Sequence, residues 1–457
     1  MKAIKKLLIC CRGEIAVRII RSAREMDILC IVAHSSADSE SLAVKLADVA
    51  VNIGPAHAKK SYLNQDAIIE AALEHGADAV HTGYGFLSEN PSFAKRVVEA
   101  GLIFVGPDSH TIDMMGNKAQ AIETARAAGV PVVPGSDGLI HELSEAVAVA
   151  SEVGYPILIK AAAGGGGRGI RIAHNENELK DEIPKAQQEA MAAFGDDGIY
   201  LERYIARARH IEVQILGDGQ NVVHFFERDC SVQRRRQKIW EEAPAQILSP
   251  KTRAAICHSA VQLARSVHYK GAGTLEYLYD EITEEFFFIE MNTRIQVEHP
   301  ITEAICGVDL IAAMLNIAQG KALPYSQSDI QMKGHAIEVR LNVEDYQKNF
   351  MPTPGIVQSV QWPSGPGIRI DAMIYDGYTI PPYYDSLIGK LIVWAEDRPR
   401  ALARLKRALS ELKIIGVTTT APFFELMLDS DALIAGQFHT TWLEQWLEHI
   451  DPKGEAA

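Results

Sequence analysis

The sequence predicts a multi-domain chain of mixed α/β and α+β class, on three observations. Short apolar runs alternate with amphipathic helical stretches up to about residue 106, the pattern of a parallel sheet wrapped by helices. A dense glycine run, 164–169, then sits between two short strand-like segments. Beyond residue 203 the strand-like runs lengthen and follow one another through turns, as in an antiparallel sheet. At 457 residues the chain exceeds what one hydrophobic core usually organises.

In chain order, residues 7–11 read as a buried strand, and Arg12-Gly13-Glu14 opens a helix with apolar residues at Ile15, Val17, Ile19, Ile20 and Ala23. A strand at 28–34, a helix at 66–75, a strand at 77–81, a helix at 91–100 and a strand at 103–106 continue the alternation. The first turn lacks G-x-G-x-x-G, so no dinucleotide site is expected there. Thr82 to Asn90 follows a strand end, where open α/β sheets place ligands. The pattern changes near Gly116: Lys118 starts a helix to 128, and 129–135, rich in Pro and Gly, forms a stiff connector. A helix at 143–153, strands at 157–161 and 170–173, a helix at 176–194 and a strand at 199–202 follow. Two strands joined by a glycine loop make a flap whose backbone N–H groups can close over phosphates, with Lys160 as a point charge at its base. Strands at 210–216, 222–228, 273–279 and 286–290, with a helix at 250–269, then build the larger sheet. A helix at 309–319, an alternating run at 334–342, a hairpin-like segment at 368–375 and an amphipathic helix at 398–413 complete the chain. The expected divisions are 1–115, 116–203, 204–330 and 331–446, with a disordered tail at 447–457.

Forty-five Lys and Arg against 59 Asp and Glu give a net charge of −14, which argues against nucleic-acid and anionic-membrane binding. Six cysteines lie without paired spacing, as expected of buried thiols in a reducing compartment rather than a zinc site. The N-terminus is unlike a signal peptide and no run approaches about 18 apolar residues, so a cytoplasmic location is expected.

The chemistry concentrates in the stretch from Glu290 to His299, after the strand-like Phe286-Phe287-Phe288-Ile289. If extended pairing continues, Glu290, Asn292, Arg294, Gln296 and Glu298 share one face. Carboxylates and an amide oxygen there suit Mg²⁺ or Mn²⁺, and the guanidinium leaves a fork for an anion. Glu276, on the preceding strand, adds a carboxylate, and a pair of divalent ions bridging nucleotide phosphates needs such a set. The run Gln233 to Lys238 reads as a solvated charged face or as a pocket for several phosphate charges.

This arrangement resembles the ATP-grasp ligases, and within them the motifs resemble biotin carboxylase over nearly the whole chain. The motifs are Arg12-Gly13-Glu14-Ile15-Ala16, Gly83 to Asn90, the glycine flap, Glu227-Arg228-Asp229-Cys230-Ser231, Gln237-Lys238, Glu241-Glu242-Ala243-Pro244, Glu290 to Pro300 and Tyr383 to Lys390. The resemblance implies a Rossmann-like N-terminal (pre-ATP-grasp) domain, an ATP-grasp lid and body, and a mixed C-terminal domain. It further implies ATP binding by Lys118, Lys160, Gly166, Gly167, Glu202, Arg203, Tyr204, Ile205, His210, Gln233, Arg236 and Leu278. Glu276, Glu290 and Asn292 would hold two Mg²⁺ or Mn²⁺ ions. Lys238, Arg294, Gln296 and Val297 would bind bicarbonate, Glu298 would deprotonate it, and Arg340 with Tyr84 would meet the ureido oxygen of biotin. No Ala-Met-Lys-Met motif is present, so biotin is expected on a separate carrier protein, the biotin carboxyl carrier protein, and its product in the hands of a separate carboxyltransferase subunit. The family also implies a homodimer. Against the family pattern, Arg236 replaces a histidine, Cys10-Cys11 replaces Ala-Asn, Thr82 replaces a proline and Ala162-Ala163 replaces Ser-Gly. These departures touch no metal ligand and not the base; Arg236 predicts altered nucleotide affinity, and together they point to a divergent paralogue. The final carboxyl acceptor, whether an acyl-CoA, pyruvate or urea, is left open at this point.

Overall fold

Five short strands pair side by side: β1 (Lys6–Ile9), β2 (Leu29–His34), β3 (Val49–Asn52), β4 (Ala79–His81) and β5 (Ile103–Phe104). Their order is β3-β2-β1-β4-β5, all parallel. Alternation along β1 explains why both faces are covered. Leu7 and Ile9 pack with the helix Glu14–Glu25, while Leu8 and the following Cys10 pack with Ile68 and Phe93 of the helices on the other face. Strand order reverses between β1 and β4, so the chain after these two strands opens a crevice. Arg12, Gly13, Glu14 and Tyr84 line it.

The computed structural model describes residues 3–161, 170–194 and 197–449. A second, three-stranded antiparallel sheet comprises β6 (Ile157–Ala161), β7 (Ile170–Ala173) and β8 (Ile199–Arg203), in the order β7-β6-β8. With the helices Leu143–Val153 and Glu176–Phe194 it closes a core of its own around Ile157, Ile159, Leu179 and Leu201. The glycine run, with Gly166 and Gly167, lies outside the described residues.

The largest sheet has eight strands. It is built from β9 (Ala208–Asp218), β10 (Val222–Arg234), β11 (Gln237–Ala243), β12 (Lys270–Asp280), β13 (Phe286–Asn292) and β14 (His335–Asn342). Two short ribbon strands, β15 (Glu344–Asp345) and β16 (Met351–Pro352), pair with each other, and β17 (Ser359–Gln361) pairs with the last strand, β20 (Lys413–Ile415). β18 (Ile368–Ala372) and β19 (Leu387–Ala395) return to the large sheet, whose order is β13-β12-β9-β10-β11-β14-β19-β18, antiparallel throughout. The sheet therefore runs continuously past residue 330. The helix Pro250–Ser266 covers one stretch of it and the helix Arg398–Glu411 another.

Three local differences from the sequence reading have plain causes. The basic run is a β-hairpin whose turn, Arg235 and Arg236, has φ of 48° and 65°, the left-handed pair that suits the twist of the flanking strands. β13 ends at Asn292 and Thr293-Arg294 bends away, so one-face alternation does not extend to Glu298. The helix Trp442–Leu447 takes in the first residue of the expected tail, and 450–457 lie outside the described residues. Among the described residues no single helix is long and apolar enough to cross a membrane.

Candidate functional site

Strand register assembles the polar heart of the site. Arg228 on β10 stands opposite Glu212 on β9, Glu212 opposite Glu276 on β12, and Glu276 opposite Glu290 on β13. One ladder rung thus carries a guanidinium and three carboxylates across four strands, on a shared face. Arg228 is fully buried and spends its donors on Glu212 Oε1 (2.6 Å), Gln214 and Thr302 (both 2.9 Å), Thr274 (3.2 Å) and Gln296 Oε1 (2.8 Å). It fixes the side chains around it.

Lys238, from the β10–β11 hairpin, reaches over this rung. Its ammonium donates to Glu212 Oε2 (2.5 Å), Glu276 Oε1 (2.7 Å) and Glu298 Oε1 (2.9 Å). The other oxygen of Glu298 accepts from Arg340 at 3.0 Å, and Arg340 also donates to Glu241 Oε1 at 2.6 Å. Gln296 donates to Glu276 Oε1 at 2.8 Å, and Asn292 Nδ2 donates to the same oxygen at 2.9 Å. Arg294 donates to Asn292 Oδ1 (2.8 Å) and to Glu89 Oε2 (3.0 Å), the latter on the turn after β4. Lys390, fully buried on β19, donates to Val297 O at 2.7 Å and lies 3.2 Å from Glu14 Oε2. The backbone at Val297 is thereby tied to β19 and, through Lys390, to the helix Glu14–Glu25.

Burial opposes a charge on Glu298, but Lys238, Arg340 and Arg228 outweigh it and hold the carboxyl well below the usual range. Burial likewise opposes ionisation of Glu276, and Lys238 and His210 win. His210 Nε2 lies 2.9 Å from Glu276 Oε2, but off the direction of a hydrogen bond. Glu241 behaves oppositely: burial, with Glu298 nearby, pushes its carboxyl up to about 7 despite Arg340. Glu298 is therefore a carboxylate at neutral pH, in the form able to accept a proton, and the cations that keep it ionised also weaken it as a base.

A cavity of about 680 Å³ opens onto this cluster. Of the residues expected at the site, Lys238, Glu276, Asn292, Arg294, Gln296, Val297, Glu298, Arg340, Tyr84 and Arg236 line it. The hydroxyl of Tyr84 is committed to Glu14. Glu290 is opposite Glu276 but does not line the cavity; its Oε2 lies 3.6 Å from Lys118 Nζ. Glu276 and Glu290 on two adjacent strands, with the Asn292 amide oxygen once Arg294 releases it, would supply the oxygen ligands that Mg²⁺ takes. The other expected nucleotide residues stand apart from the cavity. Lys160 pairs with Glu202, Arg203 with Glu285 at 2.9 Å, and Gln233 donates to Cys230 O at 2.9 Å. Ile205 and Leu278 share a small apolar cluster with Phe287, and Tyr204 donates its N–H to Pro156 O. Sequence reading assigned no role to Glu212, Arg228, Glu241, Glu14, Lys390 or Glu89. The signal for Glu212 was its position two residues after His210 on the same strand face.

A parallel sheet with its crevice, a small sheet carrying Lys160 and a large antiparallel sheet with paired carboxylates on neighbouring strands define an ATP-dependent ligase of the ATP-grasp class. Residues 3–112 match the family model "Biotin carboxylase, N-terminal domain", 117–326 "Carbamoyl-phosphate synthase L chain, ATP binding domain" and 338–445 "Biotin carboxylase C-terminal domain". Biotin carboxylase 1 of Bacillus subtilis is 50% identical over 444 residues, covering 97% of this chain and 99% of that protein. The biotin carboxylase of Pseudomonas aeruginosa is 48% identical over 446 residues, 97% and 99% of the two chains. The crystal structure of a biotin carboxylase–βγ-ATP complex from Campylobacter jejuni superposes with a TM-score of 0.88 at 46% identity, covering 97% and 99%. The biotin carboxylase domain dimer of Hydrogenobacter thermophilus 2-oxoglutarate carboxylase, in complex with MgADP, ADP and bicarbonate, gives 0.88 at 45% identity over the full length of both. The chain belongs to the biotin carboxylase family.

Proposed function

We propose that the cavity above Glu298 is where bicarbonate is activated and passed to biotin, with each step served by a named side chain. The chain is an ATP-dependent ligase that carboxylates biotin as part of a biotin-dependent carboxylase. Bicarbonate sits on Lys238, Arg294, Gln296 and the backbone of Val297. Glu298 removes its proton, and the resulting carbonate oxygen attacks the γ-phosphorus of ATP to give carboxyphosphate and ADP. Carboxyphosphate breaks down to CO₂ and phosphate, the phosphate takes the N1 proton of biotin, and N1 adds to CO₂. Arg340, permanently charged, stabilises the ureido oxygen as negative charge develops, with Tyr84 beside it. Glu276, Glu290 and Asn292 hold Mg²⁺ or Mn²⁺, which, when bound, neutralises charge on the nucleotide phosphates. ATP lies along Lys118, Lys160, the backbone of Gly166 and Gly167, Glu202, Arg203, Tyr204, Ile205, His210, Gln233, Arg236 and Leu278.

The observation that supports this reading best is Glu298, buried and ionised between Lys238 at 2.9 Å and Arg340 at 3.0 Å. A carrier protein brings the biotin, a carboxyltransferase subunit consumes the product, the chain works as a homodimer, and the setting is the cytoplasm. The test is ADP release that requires bicarbonate and rises with free biotin. Glu298→Gln lowers that turnover about 10²- to 10⁴-fold while MgATP still binds. Turnover unchanged in Glu298→Gln, or ADP release indifferent to bicarbonate, would reject the assignment.

A further inference from the structure

Near Arg340 lies a buried acid that the reaction above does not use. Glu338 is on β14, two residues before Arg340, and its register partner on β11 is Glu241. Both side chains are fully buried. Glu241 Oε1 accepts from Arg340, but Glu241 Oε2 and both oxygens of Glu338 make no hydrogen bond. The charged groups facing Glu338 are Lys390 from β19, Glu241 from β11, Arg340 from its own strand and Glu298 from the turn after β13. Neither cation is free: Lys390 is engaged by Glu14 and Val297 O, and Arg340 by Glu241 and Glu298. Two carboxylates directly opposite on neighbouring strands repel, and an unpaired buried carboxylate costs far more than a neutral acid.

We propose that Glu241 and Glu338 hold one proton between them, and that losing it draws Arg340 away from Glu298 and the substrates, so this pair sets the alkaline limit of the reaction. Burial above all raises the Glu338 carboxyl well above its usual range, with Glu241 and Glu298 adding to it, in agreement with that arrangement. With one proton the pair carries a single negative charge, which the Nε–H of Arg340 satisfies, and Nη2 of the same guanidinium stays with Glu298. Without the proton the pair carries two charges within reach of the same guanidinium, and Coulomb attraction shifts Arg340 toward it. Glu241 and Glu338 are in this sense positioning residues for Arg340.

The inference rests on the assignment of Arg340 to the biotin site, and the test separates the two. Glu338→Gln removes the second ionisation, and the introduced amide copies the shape of the neutral acid. In free-biotin-dependent ADP release, the alkaline limb of kcat/KM for biotin moves up by about one pH unit in Glu338→Gln, and the acid limb does not move. A Glu338 with only a structural role would change unfolding but leave the alkaline limb superimposable on wild type, and that outcome overturns the proposal. Infrared spectroscopy on the full chain gives a readout besides activity, and stands alone if the variant does not fold. At neutral pH the wild type shows a protonated-carboxyl carbonyl band that fades as the alkaline limb is crossed and that Glu338→Gln removes. Absence of that band in the wild type overturns the proposal. Wild type lacking bicarbonate-dependent turnover would fail the functional assignment, and the infrared result would still decide whether the pair holds a proton.

Discussion

Lys238→Met tests the site most directly, because one ammonium donates to three buried carboxylates. At 2.9 Å from Glu298, and at an effective dielectric constant of about 20, the Lys238–Glu298 attraction is about 6 kcal/mol. Arg340, 3.0 Å from Glu298, is untouched by the substitution, and water can enter the space, so about half of that, ~3 kcal/mol, is the expected loss. This agrees with the ~3–5 kcal/mol typical of removing one partner of a buried pair. A loss of ~3 kcal/mol raises the proton affinity of Glu298 by about two pH units. The sign follows from the resting state. Burial disfavours the Glu298 carboxylate, and Lys238, Arg340 and Arg228 hold its carboxyl below the usual range. Without Lys238 more of the base is protonated at a given pH, so the acid limb of kcat/KM for bicarbonate moves up. Turnover at neutral pH falls about 10²- to 10⁴-fold, since a binding group for the anion goes with it. The assay is ADP release against pH with saturating MgATP and free biotin, with nucleotide binding measured separately as a control for folding. An acid limb superimposable on wild type, or a loss below about tenfold, would refute the claim that Lys238 keeps Glu298 ionised.

Further outcomes are expected. Glu290→Gln raises the Mg²⁺ concentration for half-maximal ADP release by about tenfold or more; an unchanged Mg²⁺ titration would remove Glu290 from the metal set. Arg236 is exposed on its hairpin turn, so Arg236→His changes KM for ATP by no more than about fivefold, ~1 kcal/mol. A large fall in kcat would show that this turn does more than touch nucleotide. Arg398→Met strands Glu242, which accepts from Arg398 at 2.6 and 2.8 Å and is buried with it; urea unfolding should show a loss of about 3–5 kcal/mol. Burial opposes the Glu242 charge, but Arg398 and His335 hold its carboxyl below the usual range. The pair's contribution is therefore complete above the ordinary carboxylate range and lost as pH falls toward the depressed value. Wild type and Arg398→Met should converge in acid, and a gap that persists there would show that the loss is one of packing.

The N-terminal sheet was legible in the sequence because its apolar runs and helices keep strict local periods, and both faces are covered. β3 escaped notice because it is a short edge strand with three of its four residues exposed, so it carries no core pattern. β11 was hidden for the opposite reason: its Lys238 turns into the site and its Glu241 and Glu242 are buried against Arg340 and Arg398, and a charged run reads as a solvated face. The stretch after Glu290 was recognised by its residue types, yet the geometry that unites them differs from simple alternation. Only Glu290 and Asn292 lie on an extended strand; Arg294, Gln296 and Glu298 reach the cluster through a bend and a turn. Glu212, Arg228, Glu241 and Glu338 acquire meaning only from the register of neighbouring strands, which pairs residues far apart in sequence. A single strand contains no record of that register.

The many shared counter-ions bear on how an anion enters. Every side chain expected to grip bicarbonate already has a partner in the chain. Lys238 holds three glutamates, Gln296 bridges Arg228 and Glu276, and Arg294 holds Asn292 and Glu89. The donors are thus aimed before substrate arrives, which avoids reorganisation at the moment of reaction. Their partners differ in how easily they yield. Glu212, Glu276 and Glu298 are buried beneath Lys238 and have no water to retreat to, whereas the Glu89 side chain is about two-fifths exposed. An incoming anion therefore displaces Glu89 from Arg294 at far lower cost than it displaces the glutamates from Lys238. Glu89 sits on the turn after β4, so the contact that an anion breaks first is one of the two by which Glu89 joins the N-terminal sheet to Thr293 and Arg294.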